Sequence, residues 1–277
     1  MRFSYFGPEQ ERLSVLGLGC SRIGSLGNAT PSQQIHRTVE LALELGINVF
    51  DTADVYGQGD SELTLGRLLK RSGQRPFIIS KIGKRFSLKM RALRPLKPML
   101  RSLIAQSAGA RRTVSARRGD NMRANFDPAY LETALHGSLR RLQIETLDAL
   151  LLHSPSSDQL AAANLEQQLQ RFRRDGKIRY YGVSCDDIAS LTAALAFDGL
   201  SLLELPVDLI DTCRRAELWQ QITSRRIGII AREAIALRPT LAPADAVSEV
   251  LQPGDIACVV AGTSRPAHLT ELARAVQ

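Results

Sequence analysis

Leu147-Asp148-Ala149-Leu150-Leu151-Leu152, then the stretch Gln159–Arg174, then Ile178-Arg179-Tyr180-Tyr181-Gly182-Val183, decide the fold. The first and last runs read as short strands that are apolar almost throughout. The stretch between them reads as a helix. Strands of this kind, alternating with helices, imply a parallel sheet whose faces are covered by those helices.

The same alternation extends in both directions. Downstream come a helix at Ile188–Phe197, a strand at Leu202–Leu205, a helix at Ala216–Ser224 and a strand at Ile227–Ala231. A short helix at Ala244–Leu251, a strand at Ile256–Val260 and a helix at Pro266–Ala275 follow. Upstream, Ser14–Cys20 is a strand. Pro31 and Ser32 start a helix over Gln34–Leu45, with Ile35, Val39, Ala42 and Leu43 on one face, and Gly46 ends it. Ile47–Phe50 is a strand, Ser61–Lys70 a helix, Phe77–Ser80 a strand and Pro128–Leu142 a helix. Eight strand-then-helix units fit a closed (β/α)₈ TIM barrel better than an open sheet, and residues 1–277 are expected to form one such domain. Arg2–Tyr5 and Glu11–Ser14, around Gly7-Pro8, are expected to form a hairpin on the barrel floor.

Barrels of this type carry their chemistry at the C-terminal ends of the strands. Asp51, Lys81, His153, Ser184, Arg232 and Gly262-Thr263-Ser264 each follow an expected strand, so residues far apart in sequence converge on one rim. Singly, each has a bland reading: a turn-forming aspartate, a solvated lysine, a core histidine. Together with Tyr56 they suit one reaction. Carbonyl reduction by a hydride donor needs a proton for the developing alkoxide. A phenol titrates near ~10, and a neighbouring ammonium favours the phenolate. Tyr56 as acid/base, Lys81 as its tuner, Asp51 as holder of the lysine and His153 as a hydrogen-bond donor to the carbonyl form a coherent set.

At these residues the sequence resembles the aldo-keto reductase superfamily. The resemblance lies in Phe50-Asp51-Thr52-Ala53-Asp54-Val55-Tyr56-Gly57 with Ser61-Glu62 and Leu65-Gly66, in Leu139-Arg140-Arg141-Leu142 with Asp148 and His153, in Gly176–Ser184, and in Gly262-Thr263-Ser264-Arg265-Pro266. It implies reversible hydride transfer between a nicotinamide cofactor and an aldehyde, ketone, alcohol or sugar, with Asp51, Tyr56, Lys81 and His153 catalytic. It implies a cofactor site drawn from Gly19, Cys20, Ser184, Cys185, Glu204, Arg232, Gly262, Thr263, Ser264, Arg265, His268 and Glu271. NADP is the expected cofactor. His268 stands where the family often has an arginine for the 2′-phosphate, which leaves NAD open. Three further positions depart from the pattern: Cys185 replaces a frequent asparagine, Glu204 a glutamine, and Arg232 an aromatic. They support a second reading, a nicotinamide-binding regulatory or sensor protein with little turnover.

The net charge of +8 belongs to one segment. Residues 83–125 hold twelve Lys or Arg against the single acid Asp120, a net of +11, while the rest holds 24 basic and 27 acidic residues. This basic insert follows Lys81 and is expected to overhang the rim as a mobile flap or a solvated loop. Phe86 is its one aromatic, so the base-stacking platforms of a single-strand nucleic-acid binder are missing. Cys20, Cys185, Cys213 and Cys258 are scattered, which argues against a disulfide framework or a cysteine metal site. No apolar run is long enough to span a bilayer and the N-terminus has no signal-peptide stretch. A cytoplasmic protein, monomeric or weakly homo-oligomeric, acting on a small carbonyl or alcohol, is expected. The sequence stops at Gln277, just after the last helix, so an open substrate pocket is expected.

Overall fold

The structure is a computed structural model that describes residues 1–277 except 8, 26–27, 29, 88–121 and 163. Most of the basic insert therefore lies outside the described residues. A two-stranded antiparallel hairpin, β1 (Phe3–Phe6) and β2 (Glu11–Ser14), comes first. Eight parallel strands then close into a barrel: β3 (Leu16–Gly19), β4 (Val49–Asp51), β5 (Phe77–Ile82), β8 (Leu147–His153), β9 (Ile178–Ser184), β10 (Leu202–Pro206), β11 (Gly228–Arg232) and β12 (Cys258–Ala261), with β12 pairing back onto β3. Between β5 and β8, the described ends of the insert form a short antiparallel ladder, β6 (Lys84–Phe86) with β7 (Met122–Ala124).

The helices outside the barrel follow the expected pattern, with two corrections. Helices α1 (Ser32–Glu44), α2 (Asp60–Ser72) and α3 (Pro128–Leu142) stand where the periodicity puts them. The stretch 159–174, expected as one helix, is two: α4 (Ser157–Ala161) and α5 (Leu165–Arg174). Asn164 takes a left-handed conformation, φ 88°, that no helix interior accepts. After α6 (Ile188–Ala194), an unexpected helix α7 (Val207–Cys213) begins directly after Pro206, which fixes the backbone for a helix start. Helices α8 (Glu217–Ser224), α9 (Pro243–Leu251) and α10 (Pro266–Arg274) complete the ring. Among the described residues, no helix is long and apolar enough to cross a membrane.

The core has two layers, and the period-two alternation of the strands separates them. Residues pointing outward pack under the helices in the larger cluster. Residues pointing inward, among them Val49, Phe77, Ile79, Ala149, Leu151, Tyr180, Leu202, Ile230 and Val260, fill the lower barrel. The hairpin closes the floor below them, as expected: Phe6 meets the edges of Phe77 and Tyr180, with ring centroids 6.0 and 5.1 Å apart. Further up six of the strands, the inward positions are occupied by Asp51, Lys81, His153, Ser184, Glu204 and Arg232, two residues above Val49, Ile79, Leu151, Leu202 and Ile230 and, past Gly182, four above Tyr180. The barrel interior thus changes from hydrocarbon to polar within one residue pair, and that upper layer is the site.

Candidate active site

Lys81 is the penultimate residue of β5 and its side chain is fully buried. A buried ammonium needs partners. Asp51, on the neighbouring β4, accepts a short hydrogen bond from Nζ, and the Thr52 carbonyl accepts at 3.3 Å. Glu204, across the barrel on β10, lies 3.0 Å away through Oε2. Tyr56 opens a one-turn 3₁₀ segment, Tyr56–Gly59, that leads the chain from β4 into α2. Gly57 at φ 58° makes that turn against the backbone of Gly24, where a Cβ would come within 2.8 Å of a carbonyl carbon. The turn lays the phenol ring over the lysine, with Nζ 5.3 Å from the ring centroid. His153, the last residue of β8, sets its ring edge-to-face with Tyr56 at 5.8 Å. The four expected catalytic residues are therefore brought together. Asp51, Lys81, His153, Ser184 and Arg232 lie in the last residues of their strands rather than after them.

The electrostatics corrects one expectation. Lys81 does favour the phenolate of Tyr56, but burial acts more strongly, and Asp51 and Glu204 oppose the lysine. The net effect pushes the phenol up to about 12 rather than down. Burial and the charge of Glu204 likewise raise Asp51, against the lowering pull of Lys81. His153 is held well below its ordinary 6.5, first by burial and then by the cations Lys84, Lys81 and Arg232. It is therefore neutral near pH 7, with one N–H to donate; its Nδ1 has no hydrogen-bond partner among the described residues.

The expected cofactor residues fall into two groups. Ser184, Cys185, Glu204 and Arg232 stand at the barrel mouth. Ser184 Oγ donates to Glu204 at 3.3 Å. The Cys185 thiol is buried and pushed up to about 12 by that burial. Arg232 is held by Asp186 and Glu233, donates to the Cys185 carbonyl at 3.2 Å and lies 3.8 Å from Glu204. Asp186 and Lys84 were not anticipated as site residues. Lys84 enters because β6 carries it back over the rim, where its charge acts on both His153 and Arg232.

The second group lines a cleft of about 760 Å³: Gly262, Thr263, Ser264, Arg265, His268 and Glu271, joined by Arg22, Asn28, Thr30 and Gln34 from the β3–α1 connection and the start of α1. Thr30 and Ser264 share a hydroxyl hydrogen bond of 2.8 Å that closes one wall. Sequence reading missed the β3–α1 residues because their only signal was a turn-rich composition. Gly19 and Cys20 lie between the two groups. Gly19 passes so near that an added Cβ would sit 3.3 Å from the Gly262 nitrogen. Cys20, fully buried, gives its carbonyl to Ser61 Oγ at 2.9 Å, and Ser61 in turn contacts Thr52.

Other parts of the signature hold the frame. Glu62, fully buried, accepts from Ser80 Oγ at 2.6 Å and from Arg141 Nε at 2.7 Å, tying α2 to β5 and α3. Asp148 faces the opposite end of its strand and pairs with Arg75 and Arg179. All four cysteines are free and buried.

A sequence model of the aldo/keto reductase family matches residues 15–238. The chain is 26% identical over 310 residues to a D-threo-aldose 1-dehydrogenase from Pseudomonas sp, covering 94% of this chain and 88% of that one. It is 25% identical over 243 residues to the uncharacterized oxidoreductase YqkF of Bacillus subtilis, covering 85% of this chain but only 65% of that protein's length. Among solved structures, aldo-keto reductase AKR11C1 from Bacillus halodurans in its holo form superposes with a TM-score of 0.77 at 22% identity, over 100% of this chain and 91% of that one. An aldo-keto reductase from Klebsiella pneumoniae in complex with NADPH superposes with a TM-score of 0.65 at 18% identity, over 100% and 90%. With a family match across most of its length and the same closed barrel as these proteins, the chain belongs to the aldo/keto reductase family.

Proposed function

We propose that this protein is a nicotinamide-dependent oxidoreductase that interconverts an aldehyde or ketone with the corresponding alcohol or sugar, with Tyr56 as the acid/base. The observation that carries the reading is the buried Lys81 ammonium, held by Asp51, with the Tyr56 ring 5.3 Å above it and neutral His153 against that ring. This is a proton-transfer centre at the one level of the barrel where its interior is polar.

The residues present fit a dinucleotide. The cleft beside Gly262–Arg265 opens on the N-terminal end of α10, where backbone N–H groups and the exposed Arg265 and His268 suit phosphate oxygens. At Gly262 an added Cβ would meet nothing nearer than 3.9 Å, so a ligand has room to approach the backbone there. In this reading the nicotinamide end meets Ser184 and Glu204 at the barrel mouth. The bound cofactor supplies or accepts the hydride. The protein's own part is to hold the substrate oxygen between Tyr56 and His153. His153 donates a hydrogen bond to that oxygen, and the Tyr56 hydroxyl delivers or takes the proton. NADP is the favoured cofactor, supported by the NADPH complex of the Klebsiella neighbour and by the basic Arg265. The ion pairs that occupy Arg232 favour a second reading, cofactor binding with little turnover.

The test is a titration of the protein with NADPH and with NADH, following quenching of Trp219 and the reduced-nicotinamide emission, with a carbonyl screen beside it. Saturable binding with turnover supports the enzyme. Binding without turnover on any carbonyl supports the second reading, and no binding of either cofactor rejects both.

A further inference from the structure

The Lys81 ammonium has more claimants than protons. It carries three N–H groups. Asp51 takes one and the Thr52 carbonyl another. The third direction is contested. The Tyr56 ring lies over Nζ with its centroid 5.3 Å away, and Glu204 Oε2 lies 3.0 Å from the same nitrogen. The Glu204 contact is an ion pair without the alignment of a hydrogen bond. Glu204 is fully enclosed and is anchored from behind by Ser184 Oγ at 3.3 Å.

We propose that Glu204 is a positioning residue for proton transfer: its carboxylate, 3.0 Å from Lys81 Nζ, competes with Tyr56 for the ammonium, and so sets how much of the lysine's charge reaches the phenol. The inference rests on the reading of Tyr56 as proton carrier, but the competition itself is a property of the protein without substrate.

Two carboxylates crowd one buried lysine beside the phenol, and both oppose its pull on Tyr56. The groups that face this cluster are Tyr56 and Asp51 from the β4 end, Lys81 from β5, His153 from β8 and Arg232 from β11. Lys84 and Asp186 lie further out, and the buried thiols of Cys20 and Cys258 feel Asp51. Neutral His153 adds no charge. Arg232 is paired with Asp186 and Glu233 and also lies 3.8 Å from Glu204 Oε1, on the side of that carboxylate away from its contact with Lys81 through Oε2. Glu204 is thus the group whose charge opposes Lys81 at Tyr56 without itself being the lysine's main holder. A neutral amide at this position would release the ammonium toward the phenol.

The experiment compares Glu204→Gln with the parent, without substrate or cofactor. Tyr56 ionisation is read from tyrosinate absorbance as the difference from the Tyr56→Phe protein. Asp51 ionisation is read by carbon NMR of labelled aspartate, assigned with Asp51→Asn. Both titrations are expected to move to lower pH in Glu204→Gln, by about one unit or more. Glu204→Asp, which keeps the charge but withdraws it by one methylene, is expected to move the Tyr56 titration the same way by less, and serves alone if the glutamine variant does not fold. An unmoved or raised Tyr56 titration in a folded variant overturns the proposal. Loss of turnover in Tyr56→Phe bears on the functional reading, not on these titrations, so the two can fail separately.

Discussion

The rings of Tyr56 and His153 meet edge to face, centroids 5.8 Å apart and planes at 88°. The contact brings a hydroxyl donor and a neutral imidazole donor to bear on one point above the barrel. In the proposed function, a carbonyl oxygen held there would be polarised by His153 and protonated by Tyr56.

Tyr56→Phe removes the proton donor and leaves the ring contact with His153 intact. Turnover is expected to fall by about 10²–10⁴-fold, the range for a positioned acid/base, while NADPH affinity changes little. Steady-state kinetics paired with a fluorescence titration checks both. Retained turnover rejects Tyr56 as the acid/base.

Lys81→Met strips the counter-charge from two buried carboxylates. Breaking a buried pair costs about 3–5 kcal/mol. Asp51 and Glu204 would then face each other without it, so marked destabilisation in urea is expected. The double variant Lys81→Met/Glu204→Gln should recover part of that loss, because one of the stranded charges is gone. Any residual activity should show its acid group titrating higher than in the parent. A Lys81→Met protein as stable as the parent would mean that the lysine is not the keystone of the polar layer.

His153 gives stability a pH dependence of defined sign. In the folded protein its pKa lies well below 6.5, while in the unfolded chain it is ordinary. As pH falls below about 6.5 the unfolded chain takes up a proton that the folded one refuses, so stability drops on acidification. Asp51 works the other way. Its raised pKa gives a contribution present in acid and lost as pH rises through the folded value. Urea denaturation at about pH 5 and about pH 7 should therefore show a smaller acid-side loss in His153→Gln than in the parent. An equal loss in both proteins would place the acid sensitivity elsewhere.

Much of this was legible in the sequence because a parallel barrel writes its interior in a period of two. Val49 and Asp51, Ile79 and Lys81, Leu151 and His153, Leu202 and Glu204 are inward pairs, apolar then polar, and the second member marks the rim. What was not legible was charge balance across the barrel. Glu204 is distant from Lys81 in sequence, and no local pattern says that β10 turns its carboxylate onto the lysine of β5. For the same reason the expectation that Lys81 lowers the Tyr56 pKa left out burial and both carboxylates. The break at Asn164 had a local signal, an asparagine suited to φ 88°, but a continuous helical reading masked it. The helix Val207–Cys213 went unread because it follows its strand with no loop between.

The cleft beside Gly262–Arg265 supplies the remaining prediction. Arg265 is exposed at the N-terminus of α10, beside Thr263, whose Oγ1 accepts from the Arg265 backbone N–H at 3.1 Å. Arg265 lines the cleft together with His268. A 2′-phosphate there gains a charge-assisted pair with Arg265, whereas a ribose hydroxyl gains little. Arg265→Ala should therefore weaken NADPH by about tenfold, or ~1.4 kcal/mol, and leave NADH nearly unchanged. The effect on NADPH should also shrink at high salt, since the pair is solvent-accessible. Equal weakening of both cofactors would assign Arg265 to the shared pyrophosphate instead, and no weakening of either would remove it from the cofactor site.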